Sequence, residues 1–244
     1  MENVILKIVS NRQVGKDVFE MILEGDLSSI KNPGEFVELK LDGYYLRRPI
    51  SVCDYDDKTV TIIYKVVGKG TEKMSSYEKG VELDILTGLG NGFDINLAGD
   101  RPLLIGGGVG CPPMYNLCKK LIEENKKPIV VLGFNSKEDV FYEEEFKKLG
   151  ADVYISTADG SYGTKGFVTD IIKDLEDYTF YYACGPIPML KAIYDTANLT
   201  GELSFEERMG CGFGACMGCS CKTKYGNKII CKDGPVLKKE EIIW

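Results

Sequence analysis

The chain has 244 residues, room for one large domain or two modest ones with a small third module. Lys and Arg total 30 against 37 Asp and Glu, a net charge of -7, which argues against a protein that tracks nucleic-acid phosphates. With 44% hydrophobic and 27% charged residues the composition is that of a folded, core-forming protein. His is absent, which removes Ser/His/Asp triads, Cys/His nucleophile pairs, His-ligated zinc and haem, and Rieske centres together. Any metal must therefore sit on Cys or carboxylate.

From the N-terminus, Met1 to Lys7 lacks a basic segment followed by a long apolar run, and no stretch approaches the ~18 apolar residues of a spanning helix. A cytoplasmic protein without membrane or nucleic-acid partners is expected. Up to about residue 97 the pattern is of short β-rich runs: Val4 to Val9, Val18 to Leu23, Glu35 to Leu41, Thr59 to Val67 and Val81 to Leu86. Breaks such as Asn32-Pro33-Gly34 and Asp56-Asp57-Lys58 separate them, and the spacing predicts a small antiparallel β-barrel over residues 1–98. Within it Arg47-Arg48-Pro49-Ile50-Ser51 precedes the clearest strand, and Gly68-Lys69-Gly70-Thr71 follows it. An Arg fork, a hydroxyl and a glycine turn suit a diphosphate and a flavin ring. Arg48 equally fits a surface position beside an edge-strand proline.

At Gly99-Asp100-Arg101-Pro102 the grammar changes. Strands at Leu103 to Ile105, Ile129 to Leu132, Val153 to Ser156 and Phe180 to Ala183 alternate with helices at Pro113 to Asn125, Phe141 to Leu149, Phe167 to Leu175 and Pro188 to Ala197. This predicts a doubly wound parallel sheet, an α/β domain, over residues 99–200. Ile105-Gly106-Gly107-Gly108-Val109-Gly110 joins its first strand to its first helix, where glycines let a dinucleotide pyrophosphate approach backbone N–H groups. In the register starting at Gly108 the third glycine of G-x-G-x-x-G is replaced by Pro113, and a merely tight turn explains the loop alone. Two further loops, Asp159-Gly160-Ser161-Tyr162-Gly163 and Cys184-Gly185-Pro186, follow the third and fourth strands. Three such loops at one sheet edge are what a dinucleotide crevice requires. Cys184 is either a small residue closing a strand or a group beside the nicotinamide.

Five of the nine cysteines crowd into the last stretch, residues 201–244. Cys211, Cys216 and Cys219 follow C-x4-C-x2-C, and Cys231 comes after eleven more residues, which is the plant-type [2Fe-2S] ligand spacing. Gly210, Gly212, Gly214 and Gly218 let the backbone turn tightly and aim N–H groups at the sulfurs. A four-cysteine zinc site is the alternative, but it usually pairs two distant C-x2-C knuckles, and only one such pair exists here. Cys221 is out of register and is read as a non-ligand.

Arg48-Pro49-Ile50-Ser51, Gly70-Thr71, the Gly106 to Gly110 loop, Cys184-Gly185-Pro186 and the C-terminal cysteines occur in the order of the ferredoxin reductase-like superfamily. Glu206-Glu207-Arg208-Met209-Gly210-Cys211-Gly212 is similar within it to the iron–sulfur electron-transfer subunits of type B dihydroorotate dehydrogenases. The resemblance covers essentially the whole chain. It implies that Arg48, Pro49, Ile50 and Ser51 contact FAD, with Arg48 on the diphosphate and Ser51 near the reactive ring. Ile63, Tyr64, Lys65, Gly70 and Thr71 would complete that site. Gly106, Gly107, Gly108, Val109, Gly110, Asp159, Cys184, Gly185 and Pro186 would receive the nicotinamide nucleotide, NAD in this family, with Cys184 and Ser51 at the reacting atoms. Cys211, Cys216, Cys219 and Cys231 would hold the [2Fe-2S] cluster.

A nicotinamide exchanges two electrons as hydride, a cluster passes one, and flavin does both, so the resemblance implies a two-to-one electron converter. Dihydroorotate oxidation in the family takes place at FMN in a (β/α)8 barrel of about 250 residues, too large to fit beside three modules. A separate FMN-containing catalytic subunit in a two-plus-two complex is therefore expected, with the cluster near the contact surface. The rival within the superfamily is the small subunit of NADPH-dependent ferredoxin reductases of the sulfide dehydrogenase type, in which an Asp replaces one cluster Cys. A rival of another class is a non-catalytic module with structural zinc.

Overall fold

A computed structural model describes residues 1–244. The first part is a closed barrel of β1 (Glu2–Gly15), β2 (Val18–Glu24), β3 (Phe36–Leu39), β4 (Arg48–Tyr55), β5 (Thr59–Lys65) and β6 (Glu82–Leu89), in the order β1-β2-β5-β4-β3-β6. A short helix, α1 (Lys69–Ser75), leaves β5. Inward positions alternate with outward ones, and Leu6, Ile8, Met21, Leu23, Val37, Leu39, Ile62 and Ile85 fill the interior without exposure.

Two features of the barrel depart from the sequence reading. Arg48–Tyr55 is a strand, and no edge strand exists for Pro49 to occupy. Pro49 is tolerated because it pairs only with Glu38 of β3, whereas the β4–β5 ladder begins at Val52, so its missing N–H costs no bond. The Gly68 to Thr71 turn also opens a helix: Thr71 Oγ1 accepts the Val67 N–H at 3.0 Å and donates to the Gly68 carbonyl at 3.1 Å.

The second part comprises β7 (Leu103–Gly107), α2 (Cys111–Glu123), β8 (Ile129–Phe134), α3 (Glu143–Leu149), β9 (Asp152–Thr157), β10 (Thr164–Lys165), α4 (Val168–Ile172), β11 (Tyr181–Cys184), α5 (Ile187–Thr196) and β12 (Gly201–Ser204). The sheet order is β10-β9-β8-β7-β11-β12 with all pairs parallel. Its central strands bury both faces, as a parallel sheet requires. Leu104, Val130, Leu132 and Tyr182 face the side covered by α2 and α3, with Met114, Leu117 and Phe146 against them. Leu103, Ile105, Ile129, Val131 and Tyr181 face α4 and α5, meeting Ile171, Leu190 and Ile193.

The last stretch adds β13 (Ser220–Thr223), β14 (Gly226–Ile229), α6 (Ile230–Asp233) and β15 (Val236–Lys238). The C-terminal module does not stand apart from the sheet. β12 continues the parallel sheet, and β15 closes it antiparallel, Leu237 opposite Leu203. Cys219, Ile230 and Cys231 are buried in the same apolar cluster as Leu103 and Ile105. Gly201-Glu202-Leu203-Ser204 offers one apolar residue in four, so its strand character comes from its neighbours and not from its pattern. No helix is long and apolar enough to cross a membrane.

Barrel and sheet are locked by polar contacts. Asp54 on β4 accepts from Lys119 Nζ at 3.0 Å and from Asn116 Nδ2 at 2.8 Å, both on α2, and Tyr142 donates to Glu20 on β2 at 2.7 Å. Asn116 is fully buried and its Oδ1 already lacks a partner. Asp54→Ala would leave its amide unpaired as well, so about 1–3 kcal/mol of stability should be lost. Urea unfolding of the variant should show a lower midpoint at constant slope; an unmoved midpoint would mean that apolar contacts alone hold the two parts.

Candidate functional site

The order β9-β8-β7-β11-β12 reverses direction at β7, and the carboxyl ends of β7 and β11 open a crevice there, where such sheets bind ligands. A cleft of about 430 Å³ occupies this place. Gly107, Gly108 and Val109 line it from the first loop, Pro186 from the loop after β11, and Lys65 from the barrel. Asn135 and Asp139, from the segment after the second strand where an acidic group suits a ribose hydroxyl, line it too, together with residues that motif reasoning missed, among them Ser156, Thr169 and Met189. Asp139 reaches Lys65 at 3.9 Å and caps Ser136. The Ser156 hydroxyl is fully buried and has no partner, an orphan that a ligand in the cleft would satisfy. Only the position of Ser156 at a strand end could have signalled it.

Other expected nucleotide residues lie behind this surface or away from it. Gly106, Gly110, Cys184 and Gly185 are buried under the loops. A Cβ on Gly110 would run into the Cys184 carbonyl and meet Gly185 Cα at 2.7 Å, so this glycine lets α2 press against the loop after β11. Asp159 is exposed and accepts the Ser161 N–H at 2.9 Å and its hydroxyl at 2.6 Å, which shapes its own turn. Burial, with the charge of Glu206 adding to it and the Ser204 hydroxyl opposing, pushes the Cys184 thiol up to about 12. Cys184 is thus a neutral thiol at the end of β11, suited to contact or hydrogen bonding and not to nucleophilic attack.

The expected flavin residues gather in a second place. The Arg48 guanidinium packs on Gly70, where a Cβ would displace it, and stacks over the Tyr44 ring at 4.9 Å. Pro49, Ile50 and Ser51 continue along β4, half-buried. Such a cradle, with an Arg held flat beside a glycine turn, fits a diphosphate. Ile63 and Tyr64, at 3% and 1% exposure, belong to the apolar clusters, so any flavin contact falls to their backbone. Tyr64 donates instead to Asn11 at 3.0 Å. Lys65, expected with them, stands at the nucleotide cleft.

The cysteines form a third place. Peptide N–H groups point at four sulfurs: Cys216 N to Cys211 Sγ at 3.4 Å, Gly218 N to Cys216 Sγ at 3.5 Å, Cys231 N to Cys219 Sγ at 3.4 Å, and Gly214 N to Cys231 Sγ at 3.1 Å. Cys221, on β13, stands outside that set. Burial works to raise the Cys211 thiol, but the backbone N–H groups of Cys216, Phe213 and Ala215 outweigh it and hold the group down to about 6. Thiolate-stabilising N–H groups on a C-x4-C-x2-C…C set are the environment an iron–sulfur cluster needs, and these residues fit one.

A flavin-reductase barrel, a nucleotide-binding sheet and a cysteine loop define an electron-transferring oxidoreductase of ferredoxin reductase-like fold. Residues 104–195 match the oxidoreductase NAD-binding domain, and residues 206–243 match the iron–sulfur cluster binding domain of dihydroorotate dehydrogenase B. The dihydroorotate dehydrogenase B (NAD(+)) electron transfer subunit of Fusobacterium nucleatum is 45% identical over 250 residues, covering 96% of each chain. That of Bacillus pumilus is 44% identical, covering 99% of this chain and 98% of the relative. The chain belongs to this family of electron transfer subunits. Among solved structures, an NADH-dependent reduced ferredoxin-NADP oxidoreductase superposes with a TM-score of 0.89 at 29% identity, covering 99% of this chain and 90% of that one. Phthalate dioxygenase reductase, at 20% identity and a TM-score of 0.63 over 80% of this chain and 64% of that one, shares the fold.

Gly110→Ala should force α2 away from the Cys184 loop. NADH affinity measured by calorimetric titration is expected to fall at least about tenfold, or ~1.4 kcal/mol, with flavin content unchanged. Unaltered affinity would show that the loop tolerates the shift.

Proposed function

We propose that this chain passes electrons between NAD and a dihydroorotate-oxidising partner subunit, by way of FAD and a [2Fe-2S] cluster, in pyrimidine biosynthesis. The observation that carries this reading is the set of four cysteines whose sulfurs each accept a peptide N–H, in one chain with a barrel and a nucleotide crevice. Bound FAD supplies the exchange between hydride and single-electron transfer. Arg48 neutralises its diphosphate in the Gly70 cradle, and Thr71 holds the turn that leaves room for it. Gly107 to Val109 and Pro186 present backbone to the dinucleotide, while the Ser156 hydroxyl takes a ligand hydrogen bond. Cys184, uncharged, and Ser51 flank the place where nicotinamide and flavin meet. Cys211, Cys216, Cys219 and Cys231 hold the iron.

The partner supplies the dihydroorotate site. We assign it FMN, a two-plus-two assembly with this chain, and a docking face beside the cluster loop, where Phe213 and Met217 are 44% and 60% exposed. A cytoplasmic setting keeps the nine free thiols reduced. The four-cysteine set, with no Asp among the expected ligands, favours this system over the NADPH-dependent ferredoxin reductases.

The test is dihydroorotate-dependent reduction of NAD by the complex co-purified from the native host. Activity is expected with the partner and none from this chain alone; turnover by the isolated chain would refute the division of labour. NADPH-dependent ferredoxin reduction in its place would assign the chain to the rival system. In the same preparation Cys216→Ser should abolish the cluster's visible absorption while FAD remains, and an unchanged spectrum would remove Cys216 from the ligand set.

A further inference from the structure

Glu38 is the least expected carboxylate in the molecule. It lies on β3 directly opposite Pro49 of the Arg48–Ser51 segment, is 1% exposed, and its Oε2 has no hydrogen-bond partner. The Arg47 guanidinium, close enough for Nη1 to donate to the Glu38 carbonyl at 3.4 Å, spends its side-chain charge on Asp84, at 2.8 Å from Nη2. What covers the Glu38 carboxyl is the cysteine loop. Gly212, at φ +77°, follows Cys211, and a Cβ there would strike both carboxyl oxygens, Oε1 at 2.6 Å. Any side chain at residue 212 would thus be excluded twice, by the left-handed backbone and by Glu38.

A buried acid without a partner is destabilising and needs a reason for its place. Glu38 is not part of the nucleotide cleft or the Arg48 cradle. It is a polar contact of the barrel with the turn that carries Cys211, a turn whose apolar neighbours come from both barrel and sheet.

We propose that Glu38 is a positioning residue of the iron–sulfur site, seating the Cys211–Gly212 turn on the barrel and lowering the cluster's affinity for an electron. This rests on the cluster reading of Cys211, Cys216, Cys219 and Cys231. A carboxylate beside the cluster raises the energy of an added negative charge in a medium that screens poorly. The cluster would thereby pass its electron on more readily, and the same strand that carries the flavin-contacting residues would set that tendency.

The experiment is an EPR-monitored reductive titration of the full cofactor-loaded complex at pH 8.5, with iron and sulfide content measured alongside. The wild-type protein must show a [2Fe-2S] signal; its absence would overturn the cluster reading itself, and this inference with it. Glu38→Gln keeps the shape and removes the charge. With full iron content, its cluster should favour the reduced form about tenfold more, a shift of about 59 mV for a one-electron couple. Glu38→Asp keeps the charge and should stay within about threefold of wild type. A loaded Glu38→Gln complex with an unmoved midpoint overturns the proposal. Loss of the cluster in Glu38→Gln but not in Glu38→Asp supports it, and loss in both reduces Glu38 to a packing residue, which also overturns it.

Discussion

Val236 is where the three parts of the chain are tied together. Its strand pairs with β12, Val236 opposite Ser204, which fixes the cysteine module to the nucleotide sheet. Its N–H donates to Asn91 Oδ1 at 3.1 Å and its carbonyl accepts from Asn91 Nδ2 at 2.9 Å, and Asn91 follows the last barrel strand by two residues. The Asn91 N–H donates in turn to the Gly234 carbonyl at 2.7 Å. One amide side chain thus completes a short ladder between barrel and C-terminal module. These bonds hold the barrel and the C-terminal module in one register from within a single chain.

Placement of the sites follows from that joint. With the barrel fixed against β15 and against α2 through Asp54, Val18 and Lys65 form one wall of the cleft at the ends of β7 and β11. The buried members of the cysteine loop, Cys219 and Cys231 at 1% and 2% exposure, share an apolar cluster with β7. A loop whose sulfurs are anchored in the core of the nucleotide domain has less freedom to splay than a tail attached by its ends alone. Cys211 packs at the edge of that cluster while Cys216 is exposed, and both sulfurs accept peptide N–H groups from within the loop.

How much of this was legible depends on whether a residue's environment is local. The parallel strands were readable because Leu103 to Ile105 and Ile129 to Leu132 are continuous apolar runs, the mark of a sheet buried on both faces. The C-x4-C-x2-C spacing with Cys231 was readable directly, and the structure turns a peptide N–H toward each of those four sulfurs. β4 was not, since Arg47-Arg48-Pro49 opposes strand formation and only barrel closure supplies its partners. β12 was hidden for the same reason, with Glu202 and Ser204 buried by β11 and β15. Glu202 is tolerated at 4% exposure because it accepts the Asp94 N–H at 2.9 Å from the barrel side. Ser156 and Glu38 escape sequence reasoning altogether, because an unpartnered polar atom is a property of tertiary neighbours.

The nine cysteines show how environment divides one residue type into several chemistries. Cys53, Cys111 and Cys184 are buried among apolar groups, which favours the neutral thiol, and each is raised by burial first of all. Cys211 meets three backbone N–H donors and is lowered despite the same pressure. A buried neutral thiol contributes small, polarizable packing surface and little reactivity. Iron, conversely, needs the deprotonated form. The chain keeps its thiolate-favouring N–H groups at the C-terminal loop and its apolar shielding around Cys53, Cys111 and Cys184, so neighbours and not residue type decide which sulfurs are reactive.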